Sequence, residues 1–142
     1  MVDGGHPGPR PFVEATMHKS QLGAICIDSR DTAPDEAGAF WSQVFGCELV
    51  RATVLEEAHY AALRTRPGEV GVLLQQVDHD SRVHLDIETD NIEAEARRLE
   101  TLGARRVAAI RSWLVMEAPT GHRFCLVPPQ REGFEGNATR WP

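Results

Sequence analysis

The chain has 142 residues, 42% hydrophobic and 25% charged, which is enough for one buried core and too short for two ordinary domains. A formal net charge of −6, with no cluster of lysines and arginines, argues against nucleic acid as a partner and weakly favours a cationic one. No apolar run approaches the roughly 18 residues of a membrane-spanning helix, so no membrane partner is expected.

The N-terminal segment is rich in glycine and proline and lacks the basic start and apolar stretch of a secretory signal. We therefore expect a flexible arm over residues 1–20 and a single domain over residues 21–142. Three cysteines, an odd number without a C-x-x-C motif, favour free thiols and a cytoplasmic location. They are Cys26, Cys47 and Cys125.

The first half of the domain predicts a strand, a helix and three more strands. The strands are expected over residues 22–28, 47–54, 58–65 and 70–77. Thr32, with Asp35 three residues later, approximates a capping box at the start of the helix, and Gly46 supplies a left-handed stop. Between them, apolar residues recur with helical spacing on one face, which puts Trp41 in the core. They are Ala37, Phe40, Trp41, Val44 and Phe45.

The second half repeats this order of elements. Its strands are expected over residues 82–88, 104–111, 113–118 and 122–128. Asp90 or Asn91 caps the helix, and Gly103 ends it. The apolar stripe of this helix consists of Ile92, Ala96, Leu99 and Leu102.

The repeated order predicts an α+β fold of two β-α-β-β-β modules, about residues 21–78 and 81–128, whose half-barrels enclose a cleft. The tail over residues 129–142 is rich in turn-forming residues. It is expected to be extended and to pack Phe134 and Trp141 across the body of the domain.

Short motifs in the two halves carry a family resemblance. They are Phe40-Trp41 with Phe45-Gly46, Val83-His84-Leu-Asp-Ile87, Leu99-Glu-Thr-Leu-Gly103-Ala, and Ala118-Pro-Thr-Gly121-His-Arg-Phe-Cys125. In this order and spacing they resemble the glyoxalase/bleomycin-resistance/dioxygenase superfamily of vicinal oxygen chelate proteins, and in particular its small glyoxalase-like domains. The resemblance covers about residues 20–142. It implies the two-module fold and leaves the reaction open, because a fold does not determine a function.

The resemblance also implies where a metal would bind. Metal-using members place a His on the first strand and a Glu on the last strand of each module. These positions fall near Ala24, on Gln75 or Gln76, on His84 and on Cys125, so that His84 alone matches. We therefore expect no cofactor, with a divalent metal held by His84 and Gln75 or Cys125 as the alternative.

Six residues are candidates for a ligand-binding site in the cleft. They are Gln75, His84, Trp113, Cys125, His59 and Tyr60. His84 is also the candidate catalytic residue, either as a general base or as a hydrogen-bonding group. Trp113 would stack on a flat ligand. Since neighbouring strand residues point to opposite faces, one of His59 and Tyr60 is expected to face inward, as is one of Gln75 and Gln76.

Cys125 has a second interpretation, as a small apolar residue on a buried strand.

Two functions of different class follow for the chain as a whole. The first is a small-molecule-binding domain with an incomplete metal site, similar to the antibiotic-sequestering resistance proteins, with a planar or cationic ligand. The second is a metal-dependent lyase, isomerase or dioxygenase of the same superfamily. The resemblance also implies a homodimer.

Overall fold

The computed structural model describes residues 17–51 and 59–142. In chain order the elements are β1 (His18–Arg30), α1 (Pro34–Phe45), β2 (Leu49–Arg51), β3 (Tyr60–Leu63), β4 (Gly71–Val77), β5 (Arg82–Thr89), α2 (Ile92–Thr101), β6 (Arg105–Ile110), β7 (Trp113–Glu117), β8 (Arg123–Val127), α3 (Phe134–Asn137) and β9 (Thr139–Trp141). Within these ranges, no helix has both the length and the apolar character needed to cross a membrane.

The strands form one sheet whose order repeats the duplication seen in the sequence. That order is β2-β3-β4-β1-β5-β8-β7-β6, with β9 paired to the start of β1. In each module the first strand runs parallel to the fourth, β1 beside β4 and β5 beside β8. The two first strands are antiparallel neighbours at the centre of the sheet. The predicted α+β fold of two β-α-β-β-β modules is confirmed.

The hydrophobic core consists of two clusters, one beneath each long helix. Under α1, the buried residues are Ala37, Leu63, Val72 and Leu74. Under α2, they are Ala96, Leu114, Met116 and Leu126. Because side chains alternate along a strand, the residues between these core positions point to the opposite face of the sheet. That second face is therefore left for a binding site.

The start of α1 differs from the predicted capping box. The helix begins at Pro34 after Ala33, which offers no side-chain cap. The Thr32 hydroxyl instead donates to the carbonyl oxygen of Arg30, at 2.8 Å, in the turn that follows β1. Proline at the first helical position lacks an N–H, so one fewer donor needs a cap there. The end of α1 is as predicted, with Gly46 in the left-handed region at φ 67°.

The apolar stripe of α1 is only half covered. Phe40, Val44 and Phe45 are 60%, 52% and 40% exposed, whereas Trp41 is partly buried against the cluster under α1. The helix approaches the sheet through Ala37 and Gly38, and a Cβ at Gly38 would lie only 2.6 Å from a Leu49 methyl group. This close contact turns the other side of the stripe toward solvent.

Of the two residues proposed to cap α2, Asn91 is the one that caps it. The side-chain oxygen of Asn91 accepts from the Ala94 N–H at 3.0 Å, while Asp90 accepts from the Lys19 N–H. Gly103 follows the helix with φ 100°, as expected. Leu102 is 64% exposed and lies outside the stripe that faces the core.

The C-terminal tail is more ordered than expected. It contains the short helix α3 and the strand β9 rather than a wholly extended segment. Phe134 is buried, and Trp141 donates from Nε1 to Ser20 Oγ at 2.8 Å. The pairing of β9 with β1 draws residues 18–20 into the sheet. Residues 1–16 of the expected arm lie outside the described residues.

Candidate functional site

A cavity of about 670 Å³ occupies the face of the sheet opposite the two helices. Strands of both modules line it, because the inward positions of β1, β3, β4, β5, β7 and β8 all point to this side. Its polar and aromatic residues include Cys26, Asp28, Tyr60, Gln75, His84, Asp86, Arg111, Trp113 and Cys125. The structure thus brings five of the six predicted site residues to one cavity.

His84 lies at the centre of a group that we call the polar floor, formed by Asp28, His84 and Asp86. His84 Nδ1 donates to Asp28 Oδ2 at 2.6 Å. On the other side of the ring, Nε2 lies 3.4 Å from Asp86 Oδ1. The side chains of all three residues are at most 14% exposed. Asp86 follows His84 by two positions on β5 and therefore shares its face, while Asp28 reaches across from β1.

The polar floor determines the protonation state of His84. Burial by itself lowers the pKa of His84, but the hydrogen bonds to Asp28 and Asp86, reinforced by two thiols, outweigh it and raise the pKa well above the ordinary value of 6.5. Without a competing cation, the ring is therefore an imidazolium at neutral pH. In that state it has no free lone pair with which to accept a proton, which argues against the general base expected from the sequence.

Two thiols flank His84. Cys26 stands opposite His84 in the β1–β5 register, and Cys125 stands opposite Asp86 in the β5–β8 register. Burial raises the pKa of the Cys26 thiol to about 12, so this thiol is neutral at physiological pH when no metal is bound. Cys125 lines the cavity and is not part of the hydrophobic cluster under α2.

Of the paired alternatives in the first module, Tyr60 and Gln75 face the cavity. They are direct cross-strand neighbours, and Gln75 Nε2 donates to the Tyr60 hydroxyl at 3.0 Å. His59 precedes β3 and, together with Gln76, lines an adjoining depression of about 430 Å³. The structure therefore does not bring His59 to the main cavity, because it points away from the side that Tyr60 faces.

The second module contributes an aromatic wall and positive charge. Trp113 is the first residue of β7 and lines the cavity. Just before it, Arg111 adopts φ 53°, an unusual value for a residue other than glycine, in the tight turn between β6 and β7. Arg82 and Arg123 line the cavity as well. Three arginines thus border a site in a chain whose net charge is −6.

One atom of the polar floor has no partner. Asp28 is 3% exposed, and its Oδ1 makes no hydrogen bond with any described residue. Leaving a buried carboxylate oxygen unsatisfied costs roughly 1–3 kcal/mol or more. Since Asp28 lines the cavity, a donor on a bound molecule would satisfy this oxygen.

Six residues that the site uses were not predicted from the sequence. They are Cys26, Asp28 and Asp86 around His84, and the arginines Arg82, Arg111 and Arg123. The signal for Asp86 was present, because it stands two positions after His84 on the same strand and must share its face. Cys26 and Asp28 alternate in the same way, but their meeting with His84 depends on the register of β1 against β5. A bulge between Leu22 and Ala24 shifts that register, and no sequence pattern indicates it.

The ligand positions of metal-using superfamily members do not fit a metal in this chain. Ala24 offers no donor, and the Gln75 amide is already bonded to Tyr60. A different set does fit. One ligand atom each from Cys26, His84 and Asp86 lie within 4.8 Å of one another.

Comparisons with known proteins agree with this architecture. A family model described as a glyoxalase-like domain matches residues 24–127. No curated protein sequence matches the chain significantly.

Among solved structures, a methylmalonyl-CoA epimerase from Mycobacterium tuberculosis is 18% identical, with a TM-score of 0.57 over 78% of this chain and 89% of that one. A Streptomyces coelicolor methylmalonyl-CoA epimerase in complex with 2-nitronate-propionyl-CoA is 17% identical, with a TM-score of 0.56 over 78% of this chain and 98% of that one. A hypothetical protein, BH1468 from Bacillus halodurans C-125, is 16% identical, with a TM-score of 0.53 over 80% and 99%. At these identities the likeness shows the fold alone.

Proposed function

The chain belongs to the family of glyoxalase-like domains, and we propose that it binds a small organic molecule in its cavity, with the oxygen-bearing part of that molecule against the polar floor. The observation that carries this proposal is the cavity itself, about 670 Å³ in volume and lined by both modules. This volume falls within the roughly 300–1,000 Å³ typical of small-molecule sites.

The lining has the composition of a binding site rather than of a packing defect. Apolar side chains such as Leu73 and Val115 form the walls, and polar groups converge at the floor. Protonated His84 would donate to an oxygen of the ligand, and Asp28 Oδ1 would accept from a hydroxyl or N–H group. Trp113 offers a flat face for a ring or another planar group.

The charges nearest the ligand do not favour the cation expected from net charge. Three arginines border the cavity, Arg82, Arg111 and Arg123, whereas the polar floor has two carboxylates, and protonated His84 compensates one of these two negative charges. Surface carboxylates more than about 10 Å away are screened by salt and count for less than these neighbours. We therefore assign the site to a neutral or anionic planar ligand.

Proton transfer on the bound molecule is a second candidate function, because of Asp28. Its unpartnered, buried oxygen would accept a proton from the bound molecule, beside an imidazolium that would stabilise developing negative charge. This arrangement supports an enzyme of the lyase or isomerase type over a purely sequestering protein. It requires no ligand from the metal-binding positions of the superfamily.

The chain is further proposed to act as a cytoplasmic homodimer. Three free cysteines, one of them buried beside His84, suit a reducing compartment. The exposed Phe40, Val44 and Phe45 on α1 offer apolar surface for a second copy. Light scattering at several protein concentrations, with Phe40→Ser as the test variant, would measure the oligomeric state.

Ligand binding can be tested with Trp113 as the reporter. The double variant Trp41→Phe with Trp141→Phe leaves Trp113 as the only tryptophan, because the chain has three. A library of planar carbonyl compounds and carboxylates is screened against this variant by fluorescence quenching, with chelator present so that no metal contributes. The expected result is saturable quenching that Asp28→Asn weakens. If the compounds bind the Asp28→Asn variant as tightly as the parent protein, they do not bind at the polar floor, and the proposed site is wrong.

A further inference from the structure

We propose that Cys26, His84 and Asp86 form a binding site for a divalent transition-metal ion, with zinc as the best match. One thiol, one imidazole nitrogen and one carboxylate oxygen meet within 4.8 Å of one another at the base of the cavity. These are the three donor types that zinc prefers in proteins. This inference stands independently of the ligand proposed above.

The distance between His84 and Asp86 is that of two ligands sharing an ion. Their Nε2 and Oδ1 atoms are 3.4 Å apart, which is long for a hydrogen bond between charged groups. In a tetrahedral zinc site with Zn–N and Zn–O bonds of about 2.1 Å, the two donor atoms lie roughly 3.4 Å from each other. The pair therefore needs little rearrangement to bind the ion.

Asp28 orients His84 for this role. Because Nδ1 donates to Asp28, Nε2 is the nitrogen left to face the ion. A carboxylate behind a metal-binding histidine fixes the ring and increases its basicity, and such partners typically contribute about 10–100-fold to metal affinity. The buried position of Asp28 makes the orientation rigid.

The proposed set differs from the superfamily ligand positions in two of its three members. The thiol comes from β1, two residues beyond Ala24, and the carboxylate comes from the same strand as His84. Cys125 is near His84 but is not part of the group within 4.8 Å. Three protein ligands leave a fourth coordination position, and since all three line the cavity, that position opens into it.

Thiolate and imidazole donors also indicate which metals would bind. They favour zinc and cobalt over the harder magnesium and calcium ions, which prefer a full shell of oxygen ligands. On binding, the metal ion takes the place of two protons, the one on the Cys26 thiol and the one on His84 Nε2. Cys26 is then a thiolate bonded to the metal.

That bond provides a test that does not depend on activity. Chelator-treated protein is titrated with Co²⁺ while near-ultraviolet absorbance is recorded, since a thiolate ligand gives a sulfur-to-cobalt charge-transfer band. We expect about one equivalent of Co²⁺ and a band that Zn²⁺ abolishes by competition. The band should be lost in Cys26→Ser and kept in Cys125→Ser. It should also be kept in the matched control Cys47→Ser, whose thiol lies against the cluster under α1.

Two further variants keep the proposal falsifiable if Cys26→Ser does not fold. Asp86→Asn should weaken Co²⁺ binding at least tenfold, and Asp28→Asn should weaken it about 10–100-fold while leaving the band in place at saturation. Absence of stoichiometric Co²⁺ binding would overturn the proposal. A band lost in Cys125→Ser but kept in Cys26→Ser, or binding without a thiolate band, would overturn it as well. None of these results would affect ligand binding measured in chelator.

Discussion

His84 donates a 2.6 Å hydrogen bond to Asp28 from a different module, across the central β1–β5 pair of the sheet. The polar floor therefore exists only when the two modules are correctly joined. A shift of β1 by one residue would turn Asp28 to the helix-covered face and leave Asp86 as the remaining carboxylate of the polar floor beside the imidazolium. Folding of the interface between modules and assembly of the site are thus one event.

Removing Asp28 should destabilise the metal-free protein. Asp28→Ala leaves a buried imidazolium with one fewer counter-charge, and we expect the free energy of unfolding to fall by about 2–4 kcal/mol. Urea unfolding in chelator measures the change. Asp80→Ala is the matched control, because Asp80 forms an ion pair with Arg30 in which both side chains are largely exposed. The expected loss in the free energy of unfolding for this variant is below about 0.5 kcal/mol. Equal losses in the two variants would contradict the assigned importance of the Asp28–His84 pair.

Replacing Trp113 should impair binding more than stability. Trp113→Ala is expected to weaken binding of a planar ligand by about 1–3 kcal/mol, because it removes the aromatic wall of the cavity. Calorimetric titration with the best hit from the screen gives the affinity. Trp141→Phe, outside the cavity, should leave it unchanged. If Trp113→Ala binds every hit as tightly as the parent protein does, the cavity assignment fails.

The charge of the ligand can be tested with two planar probes that share one ring system, an aromatic carboxylate and the corresponding aromatic amine. Because three arginines line the cavity, we expect the carboxylate to bind more tightly, with a preference that fades as salt is raised. Arg123→Gln should reduce the preference, whereas Arg64→Gln, whose partner is the exposed Glu48, should not. Tighter binding of the amine would restore the cationic ligand predicted from net charge.

A buried ion pair away from the cavity should affect stability alone. Glu95 is fully buried and accepts from His18 and Arg98, and Arg98 also stacks on Trp141 at 3.7 Å. We expect Glu95→Ala to lower the free energy of unfolding by about 3–5 kcal/mol, because Arg98 and His18 lose their buried partner. Ligand affinity at a temperature where the variant is folded should match that of the parent protein. Glu48→Ala, on the surface, serves as control.

Much of the fold could be predicted from the sequence because the signals are local and occur twice. Hydrophobic periodicity and the glycine stops at Gly46 and Gly103 located both helices to within a few residues. The exposed side of the α1 stripe could not be predicted, since it depends on how closely Gly38 approaches Leu49. Helical spacing indicates which residues share a face but not how much of that face is covered.

The residues on the sides of the cavity could be predicted from the sequence, whereas the partners of His84 in the polar floor could not. Strand alternation narrowed the inward-facing residue to His59 or Tyr60 and to Gln75 or Gln76, while Trp113 was a single candidate at the start of its strand. Cys26 and Asp28 meet His84 only through long-range register, which a bulge modifies. The family ligand positions correspond to Ala24 and Gln75 and do not include Asp86, although Asp86 is only two residues from His84.

The placement of the two cavity thiols on strands that are not neighbours has a consequence for oxidative damage. Cys26 lies on β1 and Cys125 on β8, with β5 between them. Strands two positions apart in a sheet have backbones about 9–10 Å apart, beyond the roughly 7 Å that a disulfide can bridge. The Cys26 thiol is buried and neutral, so it is a poor target for peroxide, and oxidation of Cys125 to a sulfenic acid would find no disulfide partner in Cys26 to stop it going further. Of the two cavity thiols, Cys125 is therefore the one that oxidation would reach first, with or without a bound metal ion.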